Sequence, residues 1–430
     1  PPLKVYDRGE LRKDVWRMVF ANIRYPIVED DIRAQIGGTR VGERGMLELV
    51  ERYGSETFLT IKDYLFDSTE TMIGGDIEAI PDGVYRSEST VYFDGVTDGS
   101  EMTIRLSVTV SGGQVRFDFT GSSPQTPGFV NAPYAATASA VILTFLMLVN
   151  PDIPHNAGIL RRIEIVNPEG SFLNASFPAA TTFGNSITGP TSDAIMKAFA
   201  QALPETVTAG WNRFLGFAVT GTDPRKERPY SDILFLALKG GSGATHMADG
   251  YDHIGLINCA GGILAQDYEM FEIQNPHLLS RHEYATDSAG AGQWRGGLGV
   301  ETEFRIDGEN VTAVAFGDGI EEGARAFGLF DGGSGSINRA ELRSPDGSLR
   351  VARSKEILRD IPTGTVLNQQ AGGGGGYGNP FDRPAELVAE EVRNEIISVA
   401  GAARDYGVVV DPKTFDVDDH QTGNLRGKRR

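Results

Sequence analysis

Asp287 to Val300 reads DSAGAGQWRGGLGV. A backbone this rich in glycine and alanine either turns sharply or lies close against another chain segment. It also presents several N–H groups in one direction, as an anion-binding nest does. Arg295 adds a fixed, planar charge suited to a carboxylate or a phosphate. Two readings stand at this point. In one, Asp287 and Arg295 face a ligand; in the other, the segment is a tight connection between strands with Arg295 ion-paired to an acid. It is not a nucleotide loop, because GxxxxGK[ST] occurs nowhere in the chain and no GxGxxG joins a strand to a helix.

Downstream, Glu301–Ile306 and 311–316 alternate apolar and polar residues as strands do. A hairpin over 339–351 turns at Pro345-Asp346-Gly347, and the run Gly372 to Gly376 reads as a structural break. Pro384 opens a helix over AELVAEEVRNEII, a further helical piece ends at Gly407, and the last twenty residues read as an exposed arm. Upstream, strands are expected at 161–166, 214–219 and 233–238, and a helix at 191–203. Ile104, Leu106, Val108 and Val110 alternate strictly, as do Val115, Phe117 and Phe119 after Ser111-Gly112-Gly113, which predicts a hairpin with one buried face. The apolar run 135–149 is short for a membrane span and predicts a core helix. Before the turn Pro81-Asp82-Gly83, two helices are expected to form a hairpin: Met46, Leu47, Leu49, Val50 and Tyr53 share one face, and Phe58, Ile61 and Leu65 the next. The expected class is α+β. Mixed, antiparallel, β-rich central parts lie between a helical N-terminal hairpin and a C-terminal helix, divided as 1–80, 81–170, 171–375 and 376–430.

The chain has 430 residues, 40 of them basic and 58 acidic, for a net charge of -18. That field disfavours nucleic acid and anionic membranes as partners. A single cysteine, Cys259, excludes an internal disulfide framework and fits a reducing compartment such as the cytoplasm. The 54 glycines cluster in motifs without a repeat.

Several groups of residues have the right chemistry for a site. Within GGSGATHMADGYDH, His246, Asp249 and His253 are spaced as H-x2-D-x3-H; those side chains suit zinc or manganese, but the spacing matches no strong metal signature and the glycines favour a loop. Asn131, His155 and Asn185 lie in segments where amide and imidazole groups hold a carbonyl, or where asparagine and glycine simply make turns. Cys259 sits in the apolar context LINCAGG, which predicts a buried, inert thiol.

Taken in order, these segments resemble the hydantoinase B/5-oxoprolinase family, the B-type subunits of ATP-dependent hydantoinases. The resemblance runs from ANIRYPIVEDDIRAQIGGTRVGERGMLELVERYG (21–54) through IPDGVYR (80–86), VRFDFTGSSPQTPGFVNAPYAAT (115–137) and IPHNAGILRRIEIVNPEG (153–170). It continues through GGSGATHMADG (240–250) and DSAGAGQWRGGLGV to AGGGGGYGNP (371–380) and SVAGAARDYGV (398–408). It implies an enzyme subunit that hydrolyses a cyclic amide. The carbonyl is first activated by phosphorylation on an A-type ATPase partner of the actin/acetate-kinase-like class, which would hold ATP and magnesium. The related alternatives are a subunit of an acetone- or acetophenone-type carboxylase, or a docking portion whose chemistry lies elsewhere. It also implies a hetero-oligomer and a divalent metal. The family's His/Asp metal motif precedes the matched region, so its ligands are expected upstream of Pro1 and no metal ligand is assigned in this chain; His246 departs from the family pattern. Asp249, Asp287 and Arg295 are the expected catalytic residues, and Asn131, His155 and Asn185 the expected substrate-binding ones.

Overall fold

The computed structural model describes residues 3–23, 28–181, 183–259 and 261–427. They form two compact units, one of residues 1–71 with 155–159, the other of 72–154 with 160–430.

The first unit opens with a two-stranded ribbon, β1 (Tyr6–Asp7) and β2 (Glu10–Leu11), followed by α1 (Lys13–Ala21). The expected helical hairpin is present as α2 (Val28–Tyr53) and α3 (Ser55–Glu78), joined at Gly54 with φ +82°. Glu29, Asp30 and Asp31 in the first turn of α2 complement its dipole. Trp16 donates from Nε1 to Glu29, 2.8 Å away, and Asn156 donates to the Thr69 hydroxyl at 2.8 Å. Met46, Leu47, Leu49, Leu59, Ile61 and Leu65 all remain exposed within the unit.

In the second unit the last turns of α3 bury Ile73 and Ile77. A first sheet has the order β3 (Gly83–Tyr92), β4 (Glu101–Ser111), β5 (Gln114–Asp118), β6 (Ile163–Val166), antiparallel except for the β5–β6 pair. Ile104, Leu106, Val108 and Val110 face inward as their alternation predicts, and the β4–β5 turn uses Gly112 and Gly113 at φ +56° and +71°. Helices α4 (Tyr134–Leu146) and α5 (Thr188–Phe199) cover that face, with Phe117, Phe145 and Phe199 in mutual ring contact at 5.7–6.2 Å.

Two further sheets enclose the main core. One runs β14 (Glu356–Ile361), β11 (Glu309–Gly317), β7 (Leu215–Asp223), β8 (Arg228–Ile233). The other runs β13 (Leu349–Val351), β12 (Arg339–Arg343), β15 (Thr365–Ala371), β10 (Val300–Ile306), β9 (His277–Tyr284). Phe217, Val219, Val311, Ala313 and Leu358 from the first join Phe304, Ile306, Leu342 and Leu367 from the second in one hydrophobic cluster, a sheet-on-sheet arrangement. Two short helices, α6 (Phe235–Leu238) and α7 (Tyr268–Gln274), close it with Leu236 and Phe271. A smaller core at the end of the chain is built by α8 (Ala385–Arg393), α9 (Val399–Asp405) and the segment after them through Tyr406, Val408 and Val410, and α10 (Asp419–Gly427) follows.

Three expectations need correction. The segment 233–238 is not a strand: Leu234, Leu236, Ala237 and Leu238 are all buried, so nothing alternates, and they form one helical turn. The end of the chain is not a bare arm: Val410 bridges to Val417, Thr422 is buried, and Arg426 donates to the carbonyls of Tyr406 and Arg383. The glycine run 372–376 is not a break but the centre of the second unit. Gly374 donates to the Gly297 carbonyl at 2.9 Å and accepts from Gly290 at 2.8 Å; Gly375 donates to Gly210 at 2.9 Å and accepts from Ala244 at 2.9 Å; Gly376 donates to Gly333 at 2.9 Å. A Cβ at Gly374 would overlap the Ser242 carbonyl, one at Gly296 the Gly374 carbonyl, and one at Gly241 the Gly297 carbonyl. These glycines are required for close approach of main chains.

Gly374→Ala is therefore expected to lower stability by about 3 kcal/mol or more through backbone overlap. Gly42→Ala, in a helical position with open space around it, should raise stability by up to about 1 kcal/mol. Urea unfolding of both variants checks the contrast. A second expectation concerns His277, which is buried between Phe271 and Tyr230 with both ring nitrogens unpartnered. Burial pushes its pKa down from 6.5 to about 4. The unfolded chain therefore binds the extra proton between these values, and His277 subtracts up to about 3 kcal/mol of stability as pH falls through that window. His277→Phe should flatten the fall in unfolding midpoint between about pH 7 and about pH 5; an unchanged slope would refute this assignment.

Candidate functional site

The segment 287–300 crosses the glycine centre, and its polar residues carry the surrounding structure. Asp287 sits at φ +59° and accepts from the Ser398 N–H at 2.8 Å and the Ser398 hydroxyl at 2.6 Å, which fixes the start of α9. Arg295 is buried. It donates from Nε to Glu391 at 3.0 Å and from a terminal nitrogen to Asp252 at 3.1 Å. Arg383, 1% exposed, completes the cluster by donating to Asp249 (2.7 and 2.8 Å) and to Glu391 (2.7 and 3.1 Å). Asp249 also accepts from the Arg295 N–H at 2.7 Å. Burial alone would lower the Arg383 pKa, but its bonds to Asp249 and Glu391 outweigh that and hold it above its ordinary value. Two guanidinium and three carboxylate groups thus join loop 249–252, segment 287–300 and helix α8.

The six residues singled out in the sequence do not converge. Asp249 and Arg295 share the ion cluster. Asn131 is fully buried and folds its own loop: its Oδ1 accepts from the Thr126 N–H, and its Nδ2 reaches the carbonyls of Thr126, Gly128 and Ala180. His155 is exposed in the first unit, and Asn185 is exposed just before α5, where its carbonyl accepts from the Thr188 N–H. The H-x2-D-x3-H residues diverge. His246 lies 6.0 Å from the Tyr377 ring, Asp249 binds Arg383, and His253 lies 4.9 Å from His282. Among the described residues no group of three or more His, Cys, Asp or Glu side chains is placed to hold a metal ion. Cys259 is exposed, against the expectation of burial. Partial desolvation pushes its thiol pKa up, the opposite of what a nucleophile requires.

One polar cavity went unnoticed in the sequence. Ser186, Asn212, Arg213, Phe214, Ile257 and Asp318 line a space of about 20 Å³ where α5 begins. Ser186 Oγ, Asn212 Nδ2 and Asp318 Oδ1 are buried there without a hydrogen-bond partner, Asp318 Oδ1 having only a 3.9 Å ion pair with Lys355. Arg213 is buried and paired with Asp193 at 2.9 Å and Asp318 at 3.0 Å. A space of that size holds about one water molecule and no ring. Within the first unit, Leu49, Tyr53, Phe58, Ile61 and Leu65 line a larger apolar groove of about 570 Å³, with neither a carboxylate nor an imidazole at its wall.

The family model for hydantoinase B/oxoprolinase matches residues 1–380, and the chain belongs to that family. Among its relatives, the caprolactamase beta chain of Pseudomonas jessenii is 32% identical over 423 residues, spanning 96% of this chain and 71% of that protein. The B-type subunit of a putative D-/L-hydantoinase from Pseudomonas sp. (strain NS671) is 31% identical over 440 residues, spanning 99% and 72%. The crystal structure of the ATP-dependent caprolactamase from P. jessenii superposes with a TM-score of 0.88 at 29% identity, covering 99% of this chain and 74% of that one. Acetone carboxylase in its nucleotide-free form shares the fold, with a TM-score of 0.88 at 20% identity over 100% of this chain and 63% of that one. Among the described residues no helix is long and apolar enough to cross a membrane.

Because both arginines are buried, Glu391→Gln should cost about 3 kcal/mol by leaving Arg295 and Arg383 short of countercharge. Asp249→Asn should also lower the unfolding midpoint. An Asp249→Asn protein that loses kcat/KM at an unchanged midpoint would instead assign Asp249 to the substrate.

Proposed function

We propose that this chain is the B-type subunit of an ATP-dependent enzyme that hydrolyses a cyclic amide. The observation that carries the reading is the match along nearly the whole chain, in sequence and in fold, to the caprolactamase beta chain and its crystal structure. The chemistry gives the reason for two subunits. Resonance makes a ring amide a poor electrophile, and phosphorylation of its oxygen turns that oxygen into a leaving group that water can displace. No P-loop or dinucleotide motif occurs in this sequence, consistent with nucleotide being handled by an A-type ATPase partner. The complex would then be a hetero-oligomer working on a cyclic amide. In this reading the chain's part is to hold in register the loops that meet at its glycine centre. Asp249, Asp287 and Arg295 serve that site as positioning residues, by fixing the loops at the glycine centre.

The test is turnover by the subunit reconstituted with its ATPase partner, using a panel of lactams and hydantoins. Ring opening should release ADP in step with product and stop without ATP. Turnover that needs no nucleotide would overturn the reading, as would entry of labelled bicarbonate into the product, the signature of a carboxylase.

A further inference from the structure

The loop that leaves the glycine centre at Gly240 brings three basic side chains together. Lys239 ends the turn of α6 and is 2% exposed. His253 lies across from it, its ring 4.9 Å from that of His282 on β9. His282 is oriented by the Thr302 hydroxyl, 2.9 Å from Nδ1, and by the Tyr268 ring at 5.5 Å. His253 engages the Leu236 carbonyl on one side, while its Nε2 is buried without a partner. Among the described residues no carboxylate lies within ion-pair distance of the Lys239 ammonium. The acid closest in sequence to His253, Asp252, is turned to Arg295 and the Leu298 N–H.

A buried lysine is ordinarily paired, because an uncompensated charge away from water is costly. Here a lysine with no carboxylate beside it is joined by one buried, unpartnered imidazole nitrogen and a third basic ring. Burial lowers the pKa of all three groups, and the two imidazoles are lowered further by Lys239. A divalent cation would be repelled by the lysine; an oxyanion carries the charge and the acceptor atoms that the lysine and a protonated His253 Nε2 call for. We propose that Lys239, His253 and His282 form a binding site for a small oxyanion, of the phosphoryl or carboxylate type. The geometry stands apart from the amidase reading, yet an O-phosphorylated amide carries the first group and its hydrolysis product the second.

Binding an anion here should draw a proton onto an imidazole, because His253 is held near a pKa of about 4 when the site is empty. The experiment is calorimetric titration of the full-length protein with inorganic phosphate, acetate and zinc in separate arms, in two buffers of different ionisation enthalpy. Phosphate or acetate should bind with net proton uptake, and more tightly as pH falls from about 7 to about 6. Lys239→Met and His282→Gln should each weaken binding about tenfold or more, while His246→Gln should leave it unchanged. Preference for phosphate places the activated group in the site, and preference for acetate the product; either supports it. No binding of either anion, binding unaffected by both variants, or zinc binding that survives Lys239→Met would overturn it. Retained unfolding midpoints for the variants show that the site, and not the fold, was changed. The titration needs neither ATP nor turnover, so its failure leaves the amidase reading standing, and the reverse holds too.

Discussion

Main chain packed directly on main chain is the constraint on which the second unit depends. Segments around Gly210, Gly241, Gly290, Gly297 and Gly374 exchange backbone hydrogen bonds at distances that leave no room for a Cβ. Such a centre buries many peptide groups, and it is stable because their donors find carbonyls in neighbouring segments or side-chain oxygens such as those of Ser288, Ser336 and Asn338. The same demand explains the composition. A sheet sandwich is built from large alternating side chains, but the place where several loops cross must be built from residues with almost none.

That arrangement sets the tasks of the charged residues. Loops packed by backbone alone have no side-chain interlock, so their relative position is fixed by long side chains reaching in from outside. Arg295 and Arg383 do this from the centre and from the start of α8, sharing Glu391. Arg213 does the same on the other side, tying β7 to α5 through Asp193 and reaching Asp318. Buried pairs of this kind are weak sources of net stability, but they are costly to break and geometrically demanding. They suit a centre whose loops must be held in one register.

Much of the fold was legible because its signals are local. The alternation over 104–119, the helical stripes over 46–65 and the turn at 345–347 each depend on a few neighbouring residues, and each element is found where its pattern places it. The failures are of another kind. Leu234 to Leu238 carry no alternation because every side chain but one is buried, so a short apolar run passed for a strand. Gly372 to Gly376 looked like a loop because close approach and flexibility favour the same residue. The candidate site was less legible still. Asp249 and Arg295 were picked out by residue type, but their partners Arg383 and Glu391 lie 134 and 96 residues away, just before and within the helix that Pro384 opens. Lys239, His253 and His282 are united by folding alone, and no spacing announces a group drawn from three segments.

The family match extends to residue 380, three residues short of Arg383. The ion cluster does not respect that boundary. Arg383 and Glu391 reach back from the helical tail to neutralise Asp249 and Arg295 in the body of the fold. A fragment cut at the boundary would keep the loops and lose Arg383 and Glu391, leaving Arg295 with Asp252 alone and Asp249 without its guanidinium partner. The tail is thus a built-in chaperone of the centre's charge state, and a change of charge in this helix acts on the loops it neutralises.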